Sequence, residues 1–143
     1  MGRLATVDRL QKWGVNVQTE CVLCSTGAEE NLHHLFFQCS YSSYIWNSIL
    51  SWLGETRRMS NWEEETDRLS RKTRNSRPRA QIVKFLYAAT VYHLWSERNA
   101  RRFQDKKKES QQILKEMTIQ LHTRGQHFSK WRRVLESLNS YPK

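Results

Sequence analysis

Three cysteines and a histidine fall within one short window, Cys21-x2-Cys24-x9-His34-x4-Cys39, and these are all the cysteines in the 143-residue chain. Two residues between thiols suit a tight turn that aims both sulfurs at one point. The later histidine and cysteine can then close a tetrahedron, the geometry of a structural zinc site. Three thiolates and an imidazole favour zinc over magnesium or calcium, which prefer oxygen ligands. Four protein ligands leave no coordination position for an activated water, so the expected metal is structural. Two other readings compete, inert buried thiols and a redox Cys-x-x-Cys pair. Against both, the same window that holds every thiol also supplies two histidines. On an α-helix Cys39 lies about 140° round from His34 and about 240° from His33, so His34 is the better ligand, with His33 the alternate. The helix carrying His34 must end just before Cys39.

Several elements would position these groups. Thr6 can cap a short helix over Val7–Trp13 that stops at Gly14. Val7, Leu10 and Trp13 fall near one face, which predicts packing onto the metal module. Residues 15–20 lead as an extended segment, one arm of a small hairpin, into the Cys21 turn. Ser25 to Glu30 reads as a polar loop, and Asn31 as a cap for the helix of His34. Beyond Cys39 a helix starts at Ser40 or Ser42, runs to Leu53 and stops at Gly54, with Ile45, Trp46, Ile49 and Trp52 on a wide apolar face.

The run LATVDRLQKWGV, then CVLC, then HHLFFQC with Ser40, Tyr41 and Ile45-Trp46, resembles the zinc-binding reverse-transcriptase C-terminal domain of plant LINE-type (non-LTR) retrotransposons. The later string AATVYHLWSERNARRF resembles the helical segment that follows it there. The likeness covers residues 3–54 and 80–104. It implies Cys21, Cys24, His34 and Cys39 as zinc ligands, with HLF marking the ligating histidine. It also implies a nucleic-acid-handling accessory domain from the end of a longer polyprotein. Neither a YxDD-type polymerase motif nor an endonuclease constellation occurs, so the resemblance implies a detached tail piece.

The rest of the chain predicts a mainly α protein: a small CCHC zinc module followed by a helical bundle with a long central helix. Two prolines and five glycines are too few for a many-turned β-protein. The expected organisation is a zinc module with flanking helices over 1–54, a charged connector with a basic loop over 55–79, and a helical region over 80–143. Within the connector, Ser60-Asn61-Trp62-Glu63 is a capping box opening a charged helix to about Lys72, weakly anchored by Trp62 and Leu69. Pro78 should break any helix there, leaving residues 71–79 as an exposed basic loop. From Ala80 to Trp95 apolar residues point in nearly every direction, which predicts a helix surrounded by protein, with His93 a hydrogen-bonded core histidine. Two amphipathic helices follow, one on Ile113, Met117 and Leu121, the other on Phe128, Trp131, Leu135 and Leu138, with Gly125 between them.

Twenty-four Lys and Arg against fourteen Asp and Glu give a net charge of +10, which favours polyanionic partners. RNA or single-stranded DNA is expected before duplex DNA. The candidate phosphate contacts are Arg71, Lys72, Arg74, Arg77 and Arg79 in the loop, and Arg98, Arg101, Arg102, Lys106, Lys107 and Lys108 in and beyond a projecting helix. Arg124, Lys130, Arg132 and Arg133 complete the set. Trp13, Phe37 and Tyr41 are candidates for base stacking. The expected function is thus a non-catalytic, zinc-dependent nucleic-acid-binding protein. The alternative is a protein-interaction adaptor using the zinc module and the Trp-rich helices, or a homodimer through one apolar stripe. A Ser/His/Asp set, a phosphate loop, an HExxH motif and an acidic metal cluster are all missing, so no enzymatic activity is expected. No apolar run is long enough to span a membrane, and an odd cysteine count with metal spacing fits a reducing compartment, nuclear or cytoplasmic.

Overall fold

The computed structural model describes residues 4–55, 62–73 and 77–138. Among them lie six α-helices: α1 (Val7–Lys12), α2 (Ser40–Trp52), α3 (Trp62–Thr73), α4 (Pro78–Phe103), α5 (Ser110–Gly125) and α6 (Ser129–Ser137). A π-helical turn, His34–Gln38, precedes α2. The mainly α architecture is as the sequence predicts, a Cys/His module followed by a bundle with a long helix.

The ends of α1 and α2 follow from glycine. Gly14 and Gly54 both sit at φ 78°, a left-handed conformation that glycine adopts without steric cost. After α2, the Gly54 N–H donates to Ser51 O (3.0 Å) and the Glu55 N–H to Leu50 O (2.8 Å), so the last carbonyls are satisfied. Gly14 and Val15 repeat this on Gln11 and Leu10 after α1. The extended segment behind α1 forms a minimal hairpin, in which Glu20 bridges Glu29 antiparallel and the Cys21 N–H reaches Ala28 O at 2.8 Å. Trp13 departs from expectation: Val7 is buried on the module but the Trp13 ring is 59% exposed.

Helix α4 is 26 residues long, about 39 Å of axis. Contrary to the sequence reading, Pro78 starts it rather than preventing it, because the first turn needs neither the missing N–H nor any other φ. Arg71 therefore lies on α3, paired with Asp67, and Arg79 on α4, donating to Leu53 O. Arg74, the side chain of Lys72, and Ser60 and Asn61 of the capping box lie outside the described residues, as do the side chains of Trp62 and Leu69. Helix α3 is tied down by polar groups: Glu65 is buried and accepts from Trp46 Nε1 at 3.3 Å.

One core joins the whole. Ile82, Val83, Leu86 and Leu94 of α4 cluster with Ile45, Trp46 and Ile49 of α2, with α5 through Ile113 and Met117, and with α6 through Trp131 and Leu135. Cys21, Leu23, Leu35, Phe36 and Cys39 belong to the same cluster, so the metal module and the helical body are not separately packed. α4 is not surrounded by protein on every side as expected, since Tyr92 is 66% exposed. His93 is the core histidine foreseen, its Nε2 3.0 Å from Gln120 Oε1. Nor does the basic end of α4 project from the body; it packs against the module. The helix stops at Phe103, and Asp105 at φ 52° turns the chain, which places Lys106 and Lys107 on the connecting loop.

Helices α5 and α6 meet at Gly125, where an added Cβ would overlap Leu135 Cδ1. Gly125→Ala is expected to destabilise the protein by about 1–3 kcal/mol through overpacking. Combined with Leu135→Ala the two costs should be less than additive, because the clash is gone. Chemical denaturation of the two single variants and the double one checks this.

Candidate metal centre

The hairpin carries Cys21 and Cys24 on its turn, with the amides of Cys24 and Leu23 directed at the Cys21 sulfur. Asn31 Oδ1 accepts from the His34 N–H at 2.8 Å, the cap expected from sequence. The decisive local feature is the π-helical turn. The Cys39 N–H bonds His34 O at 2.7 Å, an i→i+5 bond that widens the turn and brings Cys39 back over His34. The helix then ends, as the spacing requires: Cys39 is extended, at φ −64° and ψ 132°, and heads α2.

The four ligand atoms of Cys21, Cys24, His34 and Cys39 all lie within 4.8 Å of one another. Cys21 and Cys39 sulfurs are 3.9 Å apart, and Cys24 Sγ is 3.3 Å from His34 Nε2. A zinc tetrahedron with Zn–S of about 2.3 Å and Zn–N of about 2.0–2.1 Å needs about 3.8 Å between sulfurs and about 3.5 Å from sulfur to nitrogen. The donor set fits zinc in type and in spacing. His34 is buried and in the cluster, whereas His33 is exposed and outside it.

The two buried thiols of the cluster are shifted in opposite directions. The hydrogen bond to Cys39, aided by burial, pushes the Cys21 thiol far up. The same bond holds Cys39 below its ordinary value against the opposing effect of burial, helped by the amides of Ser42 and Tyr41. Cys24 is the most accessible of the three thiols, with Thr26 Oγ1 at 3.2 Å.

Behind the centre, at the end of the polar 25–30 segment, lies the buried side chain of Glu30. Its carboxylate is fully buried and accepts from Arg98 Nη2 (2.7 Å), Arg102 Nη2 (2.9 Å) and the Val7 N–H (3.0 Å). Burial pushes this carboxyl up, but the hydrogen bonds and charges of the two guanidinium groups outweigh it and hold it below the usual range. Arg98 also donates to Ala5 O and lies over the Trp95 ring at 4.6 Å. Arg102 reaches Gln18 O and Glu20 O. Arg101 bonds Glu97, Val22 O and Lys108 O and covers the Tyr41 ring at 4.7 Å.

This corrects the expectation of a phosphate-binding stripe. Arg98 is 1% exposed, and Arg101 and Arg102 are committed to the hairpin that bears the cysteines. The signal was present in the sequence, since the stripe prolongs the line of Val91, Leu94 and Trp95, which is a packed face. Of the stacking candidates, Phe37 is buried and Tyr41 is covered, leaving Trp13 exposed beneath Arg9. Lys106, Lys107, Arg124, Lys130, Arg132 and Arg133 are exposed, while Lys108 pairs with Glu116 at 3.1 Å. Arg77 is exposed at the head of α4.

Residues 1–46 match the family model described as zinc-binding in reverse transcriptase, a span that contains the whole cluster. No curated protein matches the chain, and no solved structure does. Zinc is the cofactor that both the match and the donor set specify.

Two predictions follow from this geometry. Cys24→Ser or His34→Ala should lose the metal in elemental analysis and with it the fold of residues 15–54, seen as reduced near-ultraviolet dichroism; a folded, zinc-free variant would refute the site. Glu30→Gln leaves two buried guanidinium groups poorly compensated and should cost about 3–5 kcal/mol. Since the folded carboxyl of Glu30 titrates below its unfolded value of about 4.3, its contribution is present above that pH and lost as the pH falls. The stability gap between wild type and Glu30→Gln should therefore narrow in acid, as followed by urea denaturation.

Proposed function

We propose that this chain is a non-catalytic, zinc-dependent nucleic-acid-binding protein, derived from the C-terminal part of a LINE-type retrotransposon polyprotein. Cys21, Cys24, His34 and Cys39 hold the zinc, and a site closed by four protein ligands gives the metal a structural task. The observation that carries the reading is the cationic surface left after the arginines of α4 are used internally. Lys106, Lys107, Arg124, Lys130 and Arg133 are exposed and make no ion pair among the described residues. Lys106 and Lys107 stand beside the hairpin, lining a cavity with Gln18, Cys21 and Cys24. Such cations neutralise backbone phosphates, giving affinity without sequence choice. The reducing interior of the nucleus or cytoplasm suits the thiolate site.

A second reading, a protein-interaction adaptor, is favoured by Tyr92 and Phe103. They are 66% and 65% exposed and lie eleven residues apart on one face of α4.

Anisotropy titration of labelled single-stranded RNA, single-stranded DNA and duplex DNA between about 50 and 200 mM salt tests the first reading. Binding should weaken linearly in log salt. Lys106→Gln with Lys107→Gln should lower the single-strand slope by about 1.4, about 0.7 per phosphate contact. Arg98→Gln should leave the slope alone and lower stability instead. Binding that is absent at low salt, or insensitive to salt, overturns the nucleic-acid reading and favours the adaptor.

A further inference from the structure

Where α4, the end of α5 and the start of α6 meet, a cavity of about 400 Å³ opens between aromatic rings and cations. Its floor is Trp131, buried, with Nε1 held by Gln81 Oε1 at 2.8 Å. Phe85 stands edge-on to Trp131 with ring centroids 6.0 Å apart. Phe128 is tilted 33° to Trp131 at 5.3 Å and is 45% exposed. Arg124 lies 5.7 Å from the centroids of both phenylalanines, and Lys84 completes the rim. Among the described residues no carboxylate lines the cavity.

The geometry points to a nucleobase-stacking site: an unpaired base of a single-stranded nucleic acid lies on Phe128 within this cavity, and its phosphate is taken by Arg124 and Lys84. The inference rests on the nucleic-acid reading above and deepens it. Three observations converge. An aromatic ring anchored on a buried tryptophan is a rigid platform, and ordering a rigid ring on binding costs little. The cations beside it are free of carboxylates among the described residues, so they add attraction to a phosphodiester that an apolar peptide side chain would not use. Lys130 and Arg133 are further exposed cations on α6, the helix that carries Trp131. A duplex keeps its bases stacked internally and offers none to the ring, so the site selects single strands.

The test compares two probes on one protein: a thymidine oligonucleotide of about 10 residues, and the same strand with abasic sites throughout. They carry the same phosphates. Wild type should bind the base-bearing strand about 5- to 150-fold more tightly, the range that stacking one base supplies. Phe128→Ala should abolish that ratio, and Phe128→Trp should retain it. Because the readout is a ratio within each variant, a modest loss of stability does not disturb it. Equal binding of the two probes by wild type, or an undiminished ratio in Phe128→Ala, overturns the stacking site while leaving phosphate binding in place. If wild type binds neither probe at low salt, the stacking site and the nucleic-acid reading fall together.

Discussion

A buried carboxylate, Glu30, is the constraint on which the rest of the structure turns. It has no access to solvent and sits between two guanidinium groups from α4 and the first amide of α1. A charge so placed is tolerable only when every lone pair is met, and here Arg98 and Arg102 meet it from a point 68 and 72 residues away in sequence. The same arginines bond the backbone carbonyls of residues 5, 18 and 20. The hairpin that presents Cys21 and Cys24 is therefore pinned from behind by the long helix.

That arrangement divides the positive charge into two populations. Arginines near the metal module act inward, where the planar fork of a guanidinium can satisfy several acceptors at once. Lysines 106 and 107 and the cations of α5 and α6 face outward, where a compact, well-hydrated charge is the natural surface group. Net charge alone does not distinguish these populations, and the count of 24 Lys and Arg overstates how many cations are free to meet a partner.

The metal centre and the bundle are in turn interdependent. Cys39 is both a member of the thiol cluster and the residue from which α2 starts, and α2 supplies Ile45, Trp46 and Ile49 to the common core. The π-helical turn makes this double service feasible. An α-helical turn would have rotated Cys39 away from His34, while the wider turn returns it to the cluster and releases the chain into the next helix. Rigidity of the centre thus reaches the bundle through covalent continuity, and rigidity of the bundle returns through the arginine contacts.

The sequence by itself determined the parts whose physics is local. The spacing of Cys21, Cys24, His34 and Cys39, the cap at Asn31, the stops at Gly14 and Gly54 and the apolar periodicity of the helices each depend on residues a few positions apart. Ligand type and donor geometry needed nothing more to specify zinc. Only the tertiary structure decided which charged side chains are buried. The periodicity of α4 puts Arg98 on the packed line of Val91, Leu94 and Trp95, but that its partner there is Glu30 depends on where a loop 68 residues earlier comes to rest. The cavity framed by Phe85, Phe128 and Trp131 has the same origin: its rings come from α4 on one side and from α6 and the residue before it on the other, segments far apart in sequence that only the packing of the bundle brings together.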